Sequence, residues 1–411
     1  MRRRPGIKLF DFYLDSFRGL SRQMWWLSLA TLVNRAGTMV IPFLSIYMSK
    51  NLEFSLSQIG WVMTFFGLGS LLGSWLGGKL TDRFSYYHVM ITSMMLSGFG
   101  FMILIYFKSY LGVCIAIFVQ MTISDAFRPA AFTAIDAYSL PENKTRSISL
   151  IRLFINLGYS IGPAIGGFIF YRYGASLLFY LDGITCILSA VFILIALRPK
   201  PHSLEAEKQN NLYAKASSTG VWKDKAYLLM MLILFLFNIA FFQLFANLPL
   251  FYKEIHHLNE KTIGWIMALN GILIFLTEMP LVSWMERRKF SALKIIFVST
   301  IFLSISYFLL NTTMWFWMLI ISMIFLTLSE MLGFPYSNSW SLERAPKGRV
   351  GEYMGAYTIA FSLSHIIGPN LGLQVSSNFG YATSWYLMGV IGIISAVLTL
   401  VLIKMVGSSR A

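Results

Sequence analysis

The sequence predicts an all-α membrane protein, with twelve transmembrane helices in two pseudo-symmetric bundles of six. Three observations predict it. Apolar runs long enough to cross a bilayer recur along the whole chain. Basic residues collect on one side of those runs, and the second half of the sequence repeats the first.

The 411-residue chain is 56% hydrophobic and only 12% charged, where a soluble domain carries about a quarter charged residues. A bilayer crossing takes roughly 20 mainly apolar residues. Twelve stretches qualify, at 24–48, 57–80, 87–107, 110–137, 147–170, 175–197, 226–252, 262–284, 292–311, 313–342, 351–373 and 379–405. Ahead of them, residues 1–23 form a basic, amphipathic lead-in expected to lie along the membrane surface. The first apolar run is too long for a cleaved signal peptide. Residues 198–225 are too polar to cross and read as a linker, and residues 406–411 are a short tail. Cys114 and Cys186 fall inside apolar runs, so no disulfide framework is expected.

Orientation follows from charge. Of the 33 Lys and Arg, 25 fall on the side of the chain termini and five (Lys50, Lys108, Arg172, Lys253, Lys261) on the other; Arg35, Arg128 and Arg152 lie within spans. This bias predicts cytoplasmic N- and C-termini in a cell inner (plasma) membrane. The net charge of +15 is then a topology signal, and the lipid bilayer, not nucleic acid, is the expected surface partner.

The halves repeat. "SQIGWVMTFFGLGSLLGSWLGGKLTDR" (57–83) parallels "KTIGWIMALNGILIFLTEMPLVSWMER" (261–287): both carry Ile-Gly-Trp-x-Met, and an acid-Arg pair follows that Gly by 22 residues. "SDAFRP…IGPAIG" parallels "SEMLGFP…IGPNLG", setting Asp125 against Glu330, Pro129 against Pro335 and Gly162-Pro163 against Gly368-Pro369. The bundles are therefore 24–197 and 226–405. Paired halves with a site near the midplane suit alternating access, in which one rocks against the other.

At these residues the chain resembles the major facilitator superfamily. "GKLTDRFSYYH" matches the family's loop 2–3 signature at Gly78, Leu80, Asp82 and Arg83, then departs with Ser85 and Tyr86-Tyr87-His88. "GYSIGPAIGG" fits its span 5 signature at Gly158, Gly162, Pro163, Gly166 and Gly167. That motif resembles the one typical of drug/proton antiporters. The resemblance implies gating roles for both signatures, with Asp136 pairing with Arg83 as a latch. Small residues four apart also let helices approach closely, and a proline can bend a span.

Charged residues inside spans carry the chemical reading, because each costs about 3 kcal/mol or more at the bilayer centre unless paired, hydrated or protonated. Read as one continuous helix, 110–137 places Asp125, Pro129, Phe132 and Asp136 on one face. Asp125 lies near mid-membrane, where Arg128 and Arg152 are within reach as partners. Glu330 resembles the membrane-embedded glutamate of proton-coupled multidrug exporters, and Glu278 is a third acid. Asp125, Glu330 and Glu278 are thus the proton-coupling candidates. Asn34, Arg35, Arg128 and Arg152 are candidates for binding substrate. The plainer alternative is that these charges only pair between helices. Asp182 reads as a helix-end residue, and His365 as a packing histidine or proton relay. Phe127, Phe242 and Tyr336 are candidates for lining an apolar cavity.

Other chemistries fail. "GSWLGGKL" (73–80) has a phosphate loop's Gly and Lys spacing but Leu80 in place of Ser or Thr, and no strand precedes it. Gly69, Gly73 and Gly77 form a packing stripe instead. The five His and two Cys make no metal-ligand pattern, no hydrolase nucleophile motif is present, and no cofactor is expected. The resemblance and the embedded acids imply a proton-coupled secondary transporter, not an enzyme, exporting amphipathic or cationic small molecules in exchange for protons. A symporter importing a carboxylate-bearing nutrient is the alternative, favoured by the buried arginines. A receptor or scaffold that kept the fold would not need the acids. A monomer is the simplest expectation for a carrier with two halves.

Overall fold

A computed structural model describes residues 19–140, 144–200, 220–346 and 349–408. Residues 1–18 of the lead-in, 201–219 of the linker and 409–411 of the tail lie outside that set. Span 1 is built from Arg22–Ala36 and Val40–Leu52, and span 2 is Leu56–Phe84. Span 3 is Tyr86–Leu104, and span 4 joins Tyr110–Asp125 to Phe127–Tyr138. Spans 5 and 6 are Lys144–Tyr173 and Ala175–Ala196. Span 7 joins Lys225–Phe241 to Asn247–Glu254, and spans 8, 9 and 10 are Glu260–Arg287, Ala292–Leu309 and Phe316–Arg344. The last helix, Val350–Ser408, turns at Gly380 with φ 84° and ψ 161°, so it is two crossings, spans 11 and 12. Only glycine takes that backbone geometry freely.

Local chemistry sets the starts. Ser21 caps span 1 by accepting the Met24 N–H at 3.2 Å. Ser55 and Gln58 form a reciprocal capping box at span 2, which satisfies amides that a helix start leaves open.

Three spans depart from the continuous helices that their apolar runs predict. Span 4 is interrupted at Ala126. Pro129 has no N–H for the Asp125 carbonyl, and its ring crowds that position. The face expected to hold both Asp125 and Phe132 is not shared: Asp125 is 7% exposed and Phe132 69%. Span 1 breaks between Ala36 and Val40, and span 7 passes through a 3₁₀ turn at Phe242–Phe245. The first span of each half is therefore broken. Asp182 does not end its own helix as expected. It is buried within span 6, and its carboxylate accepts the backbone N–H groups of Met39 at 3.3 Å and Val40 at 3.0 Å, capping the second segment of span 1.

The packing stripe read from the sequence sits against span 4. A Cβ on Gly69, Gly73 or Gly77 would collide with the carbonyl oxygens of Phe118, Thr122 and Ala126 respectively. Between the halves, span 5 packs on span 8 and span 2 on span 11. On the side opposite the termini one apolar core spans both halves, joining Phe43, Met63 and Phe179 to Phe241, Leu250 and Trp385. Toward the terminal side it divides. One core there belongs to the first half, around Met24, Met90 and Tyr138, and another to the second, around Tyr227, Ile296 and Trp340.

Candidate functional site

Four clusters of polar side chains sit deep in the spans. In the first, Asp125 lies at the end of the helical segment that Pro129 terminates. It accepts a hydrogen bond from Ser70 of span 2 and pairs with Arg128, whose Nε lies 3.0 Å from Oδ1. The i,i+3 spacing places that arginine on the acid's face.

The second cluster joins the two halves. Glu278 of span 8 is 9% exposed and pairs with Arg152 of span 5, while Asn156 donates to its other oxygen at 3.2 Å. Arg152 and Asn156 are one helical turn apart, so they present both donors to one carboxylate. The expected pairing of Arg152 with Asp125 is replaced by this bridge across the halves. Arg152 is held by span 5, which packs on span 8, so Glu278 is the acid within its reach.

The third cluster surrounds Glu330, midway along span 10. It accepts from the Asn270 amide at 2.9 Å, and the same nitrogen lies 3.1 Å from the Thr327 hydroxyl. No cation lies within ion-pair distance of Glu330 among the described residues. Asp125 and Glu278 each have an arginine; Glu330 has an amide.

The fourth is the inverse. Arg35, beside the break in span 1, donates to the Tyr159 hydroxyl at 3.3 Å and lies over the Tyr159 ring at 5.6 Å. Its Nε is buried without an acceptor, and no carboxylate pairs with it among the described residues. Asn34 points elsewhere, donating to the Cys186 sulfur at 3.4 Å. On span 11, the His365 ring stacks on Phe242 at 4.3 Å and meets Phe66 edge-on at 5.3 Å.

The signature residues divide by environment. Gly158 and Gly162 of span 5 face the Arg35–Thr38 backbone of span 1, and a Cβ on Gly166 would come within 3.0 Å of the Met39 Cβ. Gly167 faces the other half: a Cβ there would collide with the Glu260 carbonyl and come within 3.0 Å of the Gly264 Cα. The Pro163 carbonyl meets the position of a Cβ on Gly264 in the same way. At loop 2–3, Gly78 faces open space, Asp82, Arg83 and Asp136 are exposed, and the Arg83 guanidinium lies over Phe84 at 5.2 Å. Of the aromatic candidates, Phe127 is buried in the first half's own core, and Phe242 packs on His365.

Sequence reasoning missed Ser70, Asn156, Tyr159 and Asn270. Asn156 had a signal, its four-residue spacing from Arg152. The other three are ordinary polar residues in apolar runs, and only tertiary packing marks them.

Known proteins resemble both the sequence and the fold. The model of the Major Facilitator Superfamily matches residues 27–369 and 254–409. Among curated relatives, a Na(+), Li(+), K(+)/H(+) antiporter of Planococcus maritimus is 23% identical, covering 88% of this chain and 91% of that one. The multidrug resistance protein MdtH of Yersinia enterocolitica is 22% identical, covering 87% of this chain and 90% of that one. Among solved structures, a POT family transporter in complex with 5-aminolevulinic acid has a TM-score of 0.78 at 16% identity, covering 94% of this chain and 96% of that one. A mutant of the nucleoside transporter NupG has a TM-score of 0.77 at 14% identity, covering 93% and 100%. At such identities the structural likeness shows the fold alone.

Proposed function

The chain belongs to the Major Facilitator Superfamily and is a multi-pass membrane transporter, not an enzyme, and on that premise we propose that it is a proton-coupled exporter of cationic or amphipathic small molecules. The observation that carries this reading is Glu330, a mid-span carboxylate whose partner is an amide rather than a cation. An uncompensated charge there is costly, and binding a proton removes the cost. The same carboxylate, once it has released its proton, suits a cationic substrate. Proton and cation then compete for one site, which is the requirement for exchange. Asp125, matched by Arg128, is the second candidate acid of the cycle. The names of the antiporter and of MdtH point the same way. The basic terminal side faces the cytoplasm. One charge crossing 100 mV supplies about 2.3 kcal/mol.

A second reading rests on Arg35. A half-buried guanidinium, its Nε buried and without a carboxylate partner among the described residues, favours a carboxylate-bearing solute carried together with protons.

Proteoliposomes loaded with a pH-sensitive dye separate the two. Lipophilic cations, dipeptides and organic acids are added in turn to wild type, Glu330→Gln, Asp125→Asn and Arg35→Gln. The exporter reading expects proton flux opposite in direction to a cation, lost in Glu330→Gln and retained in Arg35→Gln. Proton flux accompanying an acid or dipeptide, lost in Arg35→Gln, would replace it with the symporter. Unchanged flux in Glu330→Gln would make that acid structural.

A further inference from the structure

The second half contains a cavity of about 1140 Å³ that belongs to none of the four clusters. It sits where the terminal-side ends of spans 7, 9 and 10 converge, with Met405 and Val406 of span 12 closing its apolar part. Tyr336 is part of its wall, which is not the apolar, pore-facing cavity expected of that residue from the sequence. The rest of the lining has two characters. Phe290, Leu293 and Trp340 are apolar or aromatic, and Lys223, Lys225 and Lys289 are basic.

The charges do not cancel. Arg344 is already matched, bonding both oxygens of Asp224 at 2.8 and 2.9 Å. Glu343 accepts from the Ser339 hydroxyl at 3.3 Å. The three lysines have no carboxylate within ion-pair distance among the described residues. Span 9 also begins in this lining, and its N-cap, Ser291, makes no side-chain capping bond. The open amides of a helix start add positive character to the same cavity.

We propose that this cavity binds an anionic glycerophospholipid from the adjacent leaflet, its phosphate among Lys223, Lys225 and Lys289 and its acyl region against Phe290, Leu293 and Trp340. A soluble anion would use the lysines alone and leave the aromatic wall without a role. A neutral lipid would leave the lysines without one. The location supports a lipid, because helix ends bearing Lys and aromatic residues lie at headgroup depth. Bound there, the lipid would tie together three spans of one half and stabilise that half as a rigid body.

The test uses the full chain purified in a neutral detergent. Thermal unfolding is followed while phosphatidylglycerol, phosphatidylcholine or inorganic phosphate is titrated, in wild type and in Lys223→Gln/Lys225→Gln/Lys289→Gln. The control is Arg172→Gln/Lys261→Gln, which removes two exposed charges from the opposite side. Phosphatidylglycerol should stabilise wild type and the control well beyond phosphatidylcholine, with apparent affinity weakened on the order of a hundredfold in the triple variant. Should the triple variant fail to fold, bromine-labelled phosphatidylglycerol supplies a second readout. It should quench a fluorescence component that Trp340→Phe removes. Equal effects of the two lipids, an unchanged triple variant, or no quenching of Trp340 would overturn the proposal. So would full stabilisation by inorganic phosphate, which would make the ligand a soluble anion.

Discussion

Asp224 shows how one side chain can serve several elements. It caps span 7 by accepting the Tyr227 N–H at 3.1 Å, binds Arg344 of span 10 through both oxygens, and accepts from the Tyr353 hydroxyl of span 11 at 3.2 Å. Burial pushes its carboxyl upward, but the hydrogen bonds from Arg344 and Tyr227 and the charge of Arg344 outweigh burial. They hold it below the ordinary 3.8. A lowered value means that the folded state favours the ionised form. The stabilisation is complete above the ordinary carboxylate range and is lost as pH falls through the lowered value. Asp224→Asn keeps a capping oxygen and removes the charge. It should cost about 1 kcal/mol at neutral pH, allowing for the partial exposure of Arg344. Thermal unfolding of the two proteins should show a constant gap from pH 7 to 5 that closes under more acidic conditions. A gap independent of pH would mean that the charge contributes nothing. Single residues were legible in the sequence where their partner is local. The i,i+3 pair of Asp125 and Arg128 could be read from spacing, whereas Glu278 lies 126 positions from Arg152 and Asp224 lies 120 from Arg344.

Among elements, the continuous helices were legible and the breaks were not. Apolar length predicts that a segment crosses the membrane, and the twelve runs correspond to the twelve crossings. It does not say whether the backbone ladder is continuous, because the partner that makes an interruption tolerable comes from elsewhere in the chain. For span 1 that partner is Asp182, 142 and 143 positions from the amides it accepts. Those amides start a helix, so the acid meets the open Val40 donor, shares the Met39 N–H with the Gly37 carbonyl, and lies at the positive end of the helix dipole. Asp182→Ala leaves the buried Val40 N–H without an acceptor and the Met39 N–H with only the Gly37 carbonyl at 2.7 Å, a loss of about 1–3 kcal/mol. Asp182→Asn, with one acceptor oxygen, should fall between. Hydrogen exchange at Met39 and Val40 should accelerate in the order wild type, Asn, Ala. Exchange at these amides unchanged in Asp182→Ala would show that the break is held by packing alone. The span 5 signature was legible only in part. The four-residue spacing of Gly158, Gly162 and Gly166 predicts a close helix contact, but nothing in that spacing reveals that Gly167 faces the other half.

For the whole molecule, the division of the apolar core is the informative feature. A single core on the side opposite the termini and two on the terminal side describe halves whose apolar packing is shared at one end and divided toward the other, where the Arg152–Glu278 pair still bridges them. Polar contacts reinforce the joined end. Glu260 of span 8 lies 3.1 Å from Lys50 of span 1 and 3.0 Å from Lys253 of its own half. Ser49 donates to Glu254 at 3.1 Å, and Ser57 to Gln374 at 2.9 Å. In an alternating-access cycle these contacts must part when the opposite side opens, so each biases the equilibrium toward the conformation described here. Glu260→Gln removes the ion pair between the halves and leaves the apolar core intact. With Lys50 54% exposed, the pair is worth about 1 kcal/mol, which corresponds to roughly a five-fold change in the ratio of the two conformations. Spin labels at Arg172 in the first half and Phe379 in the second report that ratio as a distance distribution. Both positions are exposed on the opposite side, and the two native cysteines are buried. Glu260→Gln should raise the longer-distance population several-fold over wild type. The same distribution in both proteins would place the closing energy in the shared apolar core, and Lys50 and Glu260 would then be a surface pair without a part in the transport cycle.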